Sequence, residues 1–169
     1  MKINFYKILI RSPLLLIAPE IVWKIADLAL TQKWFWSFIS KIFMYSHPKL
    51  NTNFAGIELD SPVGLAAGYD KNCKYLSSLE TFGFGYLIGG TVTFDPRPGN
   101  PKPRMIRIPK EKALVNSLGF PGKGLNAAVK VLNKQKMSQA KRFISVSGTD
   151  ISDIKQCIQQ LEPFCSAIE

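Results

Sequence analysis

The sequence predicts an α/β fold built on a parallel sheet, and three observations favour it. Apolar residues make up 46% and charged residues 20% of the 169-residue chain, proportions that exclude a disordered or collagen-like protein. From residue 54 onward, short β-rich runs alternate with helical patterns, as in βαβ units with right-handed crossovers. No G-x-G-x-x-G sequence follows the first strand, so a dinucleotide-binding Rossmann unit is disfavoured.

Residues 1–50 are predicted to form a separate helical part. Pro19 fits the first turn of a helix over 19–30, and a second helix over 32–45 is apolar around most of its circumference. A helix of the second kind is buried either in protein or in lipid. The cations that favour an anionic membrane surface are Lys2, Lys7, Arg11, Lys24, Lys33 and Lys41. Packing of this part against a neighbouring domain stays an alternative.

The remaining elements follow from apolar periodicity and from stop signals. Strands are predicted at 54–59, 63–67, 86–93, 143–146 and 167–169, a hairpin at 105–108 with 113–115, and helices at 72–82, 123–133 and 150–164. Gly83 ends the first of these helices, and Asp150 or Ser152 caps the last. The prolines of the run DPRPGNPKPR, residues 95–104, fix a looped path.

The basic residues are unevenly distributed along the chain. The formal net charge is +10, from 22 Lys and Arg against 12 Asp and Glu. Residues 97–142 carry twelve of the basic side chains and one acid, Glu111. Such a block is typical of a nucleic-acid patch or of a lysine-rich solvated surface. No RNA- or DNA-binding motif accompanies it, so the solvated surface is preferred and no nucleic acid is predicted as a partner.

The sequence argues against a spanning helix, a cleaved leader and a metal site. Charged residues interrupt every apolar run before the about 18–20 residues that crossing a bilayer takes. The start is like that of a signal peptide, but PLLLIAP contains two prolines and no small-residue cleavage site follows. Cys73, Cys157 and Cys165 form no C-x-x-C pair, and His47 alone completes no zinc set. The odd number of cysteines indicates a reducing compartment.

The ends of the predicted strands carry a consistent chemistry. Ligands of parallel α/β folds lie at the carboxyl ends of strands, here at 66–71, 89–93, 116–120 and 145–149. The first segment offers small residues whose backbone a flat ring can approach, followed by the cation of Lys71. Together these segments favour a site for a planar, anionic ligand. Each feature taken singly is explained by a tight turn, a surface lysine or a loop asparagine.

Three motifs resemble one enzyme family in order and in spacing. They are GLAAGYDKN at 64–72, GFGYLIGGTVTFDPRPGNPKPRMIRI at 83–108 and NSLGFPGKG at 116–124. All three are similar to motifs of the dihydroorotate dehydrogenases. The sequence RSPLLLIAPE at 11–20, with the helices after it, resembles the extension of the membrane-associated, quinone-dependent class.

The resemblance implies an FMN-dependent (β/α)8 barrel that oxidises dihydroorotate to orotate in pyrimidine biosynthesis and passes electrons to a quinone. Carried over by position, the residues implied to bind FMN are Ala67, Gly68, Tyr69, Asp70, Lys71, Thr91 and Ser145. The residues implied to bind the substrate are Lys71, Asn116, Ser117, Leu118, Gly119 and Phe120. Ser145 stands where many relatives have an asparagine, and serine is shorter and lacks the amide donor.

The resemblance also implies an incomplete enzyme. A whole (β/α)8 barrel takes roughly 250 residues, and the family's serine base would lie beyond Glu169. The fold predicted is therefore the N-terminal part of a TIM barrel over 51–169, preceded by a small helical membrane- and quinone-facing extension over 1–50. No catalytic residue is predicted within the chain, which by itself should be inactive. Its expected location is peripheral, at the cytoplasmic face of the cell membrane.

Two alternatives stay open. Another FMN-dependent barrel oxidoreductase would share the glycine-rich strand ends, but it would lack the N-terminal helices. A non-catalytic basic module that binds a membrane or RNA would explain the charge and the aromatic residues. It would leave the motifs at 66–71 and 116–120 unexplained.

Overall fold

A computed structural model of the chain describes residues 11–135 and 141–169, without the side chain of Phe43. The α-helices are α1 Ser12–Leu16, α2 Pro19–Leu30, α3 Lys33–Phe43, α4 Leu76–Leu79, α5 Leu125–Leu132 and α6 Ile151–Leu161. The strands are β1 Thr52–Phe54, β2 Ile57–Leu59, β3 Gly64–Leu65, β4 Tyr86–Val92, β5 Met105–Ile108, β6 Ala113–Asn116, β7 Lys141–Val146 and β8 Ala167–Ile168. Short 3-10 turns occupy Pro48–Leu50, Glu80–Phe82 and Glu162–Phe164.

The chain divides into two compact units. The hairpin unit comprises Met1–Ala29 and Asn100–Leu118, and the sheet unit comprises Leu30–Gly99 and Gly119–Glu169. The predicted division at residue 50 into an extension and a barrel part stays a prediction. None of the helices in the described residues has both the length and the hydropathy needed to cross a membrane.

The sheet unit is built on a parallel sheet with the strand order β3-β4-β7-β8. Its central strands β4 and β7 pair from Tyr86↔Lys141 to Val92↔Val146, with a shift of register between Gly89 and Val92. Strand β8 joins the far edge, where Phe143 of β7 pairs with Ala167. The predicted α/β class with a parallel sheet is therefore confirmed.

Helices α4, α5 and α6 cover one face of this sheet. Leu87 of β4 and Ile144 of β7 are 0% exposed and share a core cluster with apolar residues of all three helices. The helix residues in this cluster are Leu76, Leu79, Leu125, Ala128, Leu132, Cys157 and Leu161. Burying one such leucine is worth about 1.5–3 kcal/mol, so this layer is a substantial source of stability for the unit.

The opposite face of the sheet is also apolar. Tyr86 of β4 stacks on Phe143 of β7 with ring centroids 5.4 Å apart. Together with Ile88, Ile168 and the β1–β2 hairpin, these rings line a cavity of about 480 Å³. Alternate residues of β4 and β7 thus supply both faces, as the period of a strand requires.

The strand predicted at 54–59 is instead the β1–β2 hairpin. Phe54 pairs with Ile57 in an antiparallel register, and Ala55 and Gly56 form the turn with φ of 49° and 82°. The side chain of Asn53 accepts the Gly56 N–H at 3.0 Å, an Asx-type contact that closes the turn. The apolar run alone gave no signal for this local reversal.

The predicted helix at 72–82 is shorter than expected. Regular α-helix begins at Leu76, and the last residues, Glu80–Phe82, form a 3-10 turn before Gly83 at φ 80°. Cys73, at φ 55°, is incompatible with a helix at its own position. Gly83 does end the segment, as the sequence predicts.

Ion pairs and a helix-end contact hold the hairpin unit together. Glu20 of α2 pairs with Lys102 at 2.6 Å and with Arg104 at 2.9 Å. Hydrogen bonds from these two cations lower the pKa of the Glu20 carboxyl. Arg107 of β5 donates to the carbonyl of Leu15, in the last turn of α1, and to that of Ile17, directly after the helix. The helix at 19–30 and the β5–β6 hairpin are both confirmed.

A buried ion pair in the sheet unit generates a stability prediction. Arg142 of β7 donates to Glu80 at 2.6 Å, with side chains 2% and 9% exposed. Glu80→Ala should lower the free energy of unfolding by about 3 kcal/mol, because it removes the carboxylate that neutralises a buried guanidinium. Urea denaturation at neutral pH measures the change. Exposed Glu162→Ala is the control, with an expected change below about 0.5 kcal/mol; equal losses in both variants would contradict the role of the pair.

Candidate functional site

The candidate cofactor residues of the sheet unit meet at the carboxyl edge of the sheet. The loop 66–71 follows β3, and two backbone hydrogen bonds tie it to β4. The Gly68 N–H donates to the Gly90 carbonyl at 2.8 Å, and the Gly90 N–H donates to the Asp70 carbonyl at 2.9 Å. The structure thus brings the loop to the end of the neighbouring strand, as the sequence predicts for parallel strands.

Gly90 is required at this junction by both its conformation and its surroundings. Its φ is 108°, and a Cβ at this position would lie 2.5 Å from the Ser145 carbonyl oxygen. At the preceding Gly89, a Cβ would lie 2.8 Å from the Cys73 sulfur. Two adjacent glycines therefore let β4 pass close to β7 and to the segment behind the loop.

The carboxylate of Asp70 points into the protein. Asp70 is 2% exposed, and its side chain accepts the N–H groups of Lys74 at 2.8 Å and Tyr75 at 2.6 Å. These bonds satisfy backbone donors just before α4, much as a helix cap does. Asp70 can therefore meet a cofactor only through its main chain, a distinction that residue spacing does not indicate.

The outer surface of the loop 66–71 consists of exposed backbone and one cation. Gly68 has a φ of 96°, and no heavy atom lies within 4 Å of the position that a Cβ would take. The Lys71 ammonium donates to the Gly68 carbonyl, so the charge lies over the same turn. Ala67 is half-buried, and Tyr69 packs against the core.

Thr91 and Ser145 form a hydroxyl pair between β4 and β7. Their side-chain oxygens are 2.9 Å apart, and Ser145 is 6% exposed. Either hydroxyl can be the donor in this contact, which leaves the pair with further hydrogen-bonding capacity. The Ser145 side chain is shorter than the asparagine of many relatives, but its hydroxyl has a hydrogen-bond partner at the site in Thr91.

The candidate substrate residues are divided between the two units. Asn116, Ser117 and Leu118 belong to the hairpin unit, and Gly119 and Phe120 to the sheet unit. In the sheet unit, Gly119 and Phe120 both have left-handed backbone, with φ of 72° and 52°. Phe120 is exposed, so its ring is available to a ligand.

Within the hairpin unit, the substrate candidates lie at the end of β6 and directly after it. The Ser117 N–H donates to the Arg104 carbonyl at 3.0 Å. Asn100 contacts the same stretch twice, since its side-chain amide donates to Ser117 O at 2.8 Å and its N–H donates to Leu118 O at 3.0 Å. These bonds fix the main chain, and Asn116 itself is exposed.

Segment 119–124 is fastened to the sheet unit by contacts that the sequence did not reveal. Arg97 and Gly122 exchange two backbone hydrogen bonds, both 2.9 Å long. The Asn72 side chain accepts the Lys123 N–H at 2.8 Å. Asn72 stands in the motif GLAAGYDKN, but nothing in the motif predicts a contact fifty-one residues away.

Cys73 lies behind the loop and does not act as a base. Burial raises the pKa of its thiol, and the charge of Asp70 raises it further. A thiol in such surroundings stays protonated and inert. Within residues 11–135 and 141–169, no cluster of His, Cys, Asp and Glu is suited to a metal ion.

The residues at this edge fit a planar cofactor with negative charge. The open space above Gly68 admits a flat ring, Lys71 supplies a cation, and Thr91 supplies a hydroxyl. These are complementary to a ring system with carbonyl groups and a developing negative charge.

Comparison with known proteins gives consistent matches. The family model for dihydroorotate dehydrogenase matches residues 49–169. A dihydroorotate dehydrogenase (quinone) of Sulfurovum sp. is 33% identical over 132 residues, which are 78% of this chain and 37% of that protein. The enzyme of the same name from Neisseria gonorrhoeae is 47% identical over 81 residues, which are 48% of this chain and 24% of that protein.

Solved structures agree with this match. The crystal structure of DHODH from Eimeria tenella in complex with ferulenol has a TM-score of 0.70 at 25% identity. The ligand-free form has a TM-score of 0.71 at 26% identity. The alignments cover 89% of this chain but 43% and 44% of those chains, so the chain spans less than half of their length. These neighbours indicate a fold of the TIM-barrel type.

The junction at Gly90 generates a second prediction. Gly90→Ala should destabilise the chain by at least about 2 kcal/mol more than Gly68→Ala, because both strain a left-handed backbone but only the first drives a Cβ into a carbonyl. Thermal and urea denaturation of the two variants measure the difference. Equal losses of stability would show that the close approach of β4 to β7 does not constrain the fold.

Proposed function

The chain belongs to the dihydroorotate dehydrogenase family, and we propose that it provides the FMN-binding edge and the quinone-facing helices of an enzyme that oxidises dihydroorotate to orotate. The family match over residues 49–169 carries this proposal, because it includes every candidate cofactor and substrate residue. The relatives named as quinone enzymes support a quinone as the electron acceptor. A role in pyrimidine biosynthesis follows from that reaction.

In this proposal the loop 66–71 holds FMN. FMN bound there would supply the redox chemistry that links dihydroorotate to the quinone. The exposed backbone at Gly68 lets the ring approach, and the ammonium of Lys71 stabilises negative charge that develops on it. The Thr91–Ser145 pair offers a hydroxyl to the cofactor. The buried carboxylate of Asp70 holds the loop in place through its bond to the Tyr75 N–H.

The proposed substrate contacts come from 116–120. The amide of Asn116 can donate and accept, which suits the alternating N–H and C=O groups of a pyrimidine ring. Ser117 and Leu118 offer main-chain groups, and Gly119 with Phe120 offers an approachable backbone beside an aromatic side chain. Lys71 provides a cation for the carboxylate of the substrate.

We also propose that residues 1–50 form the extension that contacts a membrane surface, at its cytoplasmic side. In the sheet unit, α3 exposes Trp34, Phe38 and Ile42 at a spacing of four residues, which places them on one face. In the hairpin unit, α2 exposes an apolar set of its own: Ile21, Ile25 and Leu28. Exposed apolar faces with nearby lysines are typical of helices that lie in a membrane interface. Of the cations named above, Lys2 and Lys7 lie outside the described residues.

FMN binding tests the cofactor site directly. Lys71→Ala should weaken FMN binding about tenfold, because a charge-assisted hydrogen bond is worth about 1.5–3 kcal/mol. Lys74→Ala is the matched control, since Lys74 is an exposed lysine of the same turn that lies over the Tyr75 ring. Titration of the 169-residue chain with FMN, followed by quenching of flavin fluorescence, measures both affinities.

Two outcomes would contradict this proposal. Equal FMN affinities in the Lys71→Ala and Lys74→Ala variants would show that Lys71 does not contribute to FMN binding. A wild-type chain that binds no FMN would overturn the proposed cofactor site for this chain. In a chain that does bind FMN, binding of dihydroorotate or orotate, and not of other pyrimidines, separates this function from that of another flavin barrel.

Vesicle binding tests the proposed membrane face. Trp34→Ser with Phe38→Ser should reduce sedimentation with phosphatidylglycerol vesicles about tenfold or more, because two large apolar side chains no longer enter the interface. Ile151→Ser is the control, because Ile151 is equally exposed but lies on α6. Vesicles of phosphatidylcholine alone should bind the wild type more weakly. Unchanged binding of the double variant would contradict the membrane face.

A further inference from the structure

Asn72 joins two segments that approach the candidate site from different strand ends. Its side-chain oxygen accepts the Lys123 N–H at 2.8 Å, across fifty-one residues of sequence. Asn72 directly follows Lys71, so it belongs to the turn that carries the candidate cation. Lys123 lies in segment 119–124, which begins with Gly119 and Phe120, both candidate substrate residues of the sheet unit.

The turn that carries Asn72 is fixed on both sides. The Asp70 carbonyl accepts the Cys73 N–H at 3.2 Å, and the buried Asp70 carboxylate holds the residues that follow. The Cys73 carbonyl accepts the side-chain amide of Gln135 at 2.6 Å. An acceptor on so constrained a turn is already in position for its donor, which lowers the entropy lost in the contact.

The other contacts of segment 119–124 run to a different part of the sheet. Arg97 pairs with Gly122, and the Phe94 carbonyl accepts the N–H of Leu125, the residue directly after the segment, at 3.0 Å. Both partners follow β4, whereas Asn72 follows β3. The bond from Asn72 therefore links segment 119–124 to the loop of Lys71 in particular.

We propose that Asn72 is a positioning residue that couples the Lys71 loop to segment 119–124. The inference rests on the proposed function, in which the loop holds FMN and the segment borders the substrate. Asn72 touches neither ligand in this scheme, and it acts through the main chain of Lys123. Loss of the Asn72 side chain loosens segment 119–124, which borders the substrate. The Lys71 loop stays in place, because it keeps its bonds to Gly90 and to the turn before α4.

Amide hydrogen exchange at Lys123, read by NMR on the 169-residue chain, tests the coupling without any ligand. Asn72→Ala should speed this exchange about five- to tenfold, the change that loss of one hydrogen bond gives. Asn72→Asp keeps an acceptor oxygen at the same place and should stay within about twofold of the wild type. Asn126→Ala, an exposed amide on α5, is the control for loss of a side chain nearby.

A ligand measurement separates positioning from general stability. Asn72→Ala should weaken orotate binding to the FMN-loaded chain about five- to tenfold while FMN affinity stays within about twofold. A purely structural role would shift both affinities and the melting temperature together. The Asn126→Ala control should change none of the three.

Three outcomes would overturn the proposal. They are unchanged exchange at Lys123 in Asn72→Ala, failure of Asn72→Asp to restore slow exchange, and parallel losses of FMN and orotate affinity. A wild-type chain that binds neither ligand overturns the proposed function instead. The exchange rates then still decide whether Asn72 joins the two segments.

Discussion

Two hydrogen bonds join the backbone of Gly90 to the loop that follows β3. They pair Gly90 with Gly68 and with Asp70, at a point where β4 also lies against the Ser145 carbonyl. Any Cβ at Gly90 would clash with that carbonyl oxygen. The close approach of the loop, β4 and β7 therefore depends on the absence of a side chain at Gly90. The position of Lys71 follows from this junction, because the loop that carries it is fastened there.

The polar side chains of the loop divide into inward and outward groups. Asp70 and Asn72 bind backbone N–H groups within the protein, and Lys71 returns to the Gly68 carbonyl. Acceptors that bind backbone donors in this way stiffen a turn without adding chemistry to its surface. What remains outside is main chain and one positive charge, a surface suited to a flat, electron-rich ligand.

The sheet that carries this surface has apolar residues on both of its faces. Leu87 and Ile144 face helices α4 to α6, whereas Tyr86 and Phe143 line the cavity on the other side. Both faces are apolar, as in parallel sheets whose strands are covered on each side. In barrels of the kind indicated by the structural neighbours, the carboxyl ends of such strands carry the active site. The candidate cofactor residues stand at that edge.

The sequence by itself determined the parallel sheet, the helix that begins at Pro19, the hairpin of 105–108 with 113–115 and the family, because periodicity and long motifs are local properties of the chain. The tertiary structure alone decided the reversal at Ala55, the inward carboxylate of Asp70 and the contact of Asn72 with Lys123. The reversal depends on left-handed backbone at Ala55, and the two side-chain contacts depend on backbone donors that the folded chain places beside them. The sequence shows which side chains are present and how far apart they are along the chain. The direction in which a polar side chain points depends on the hydrogen-bond partner that lies next to it in the folded protein.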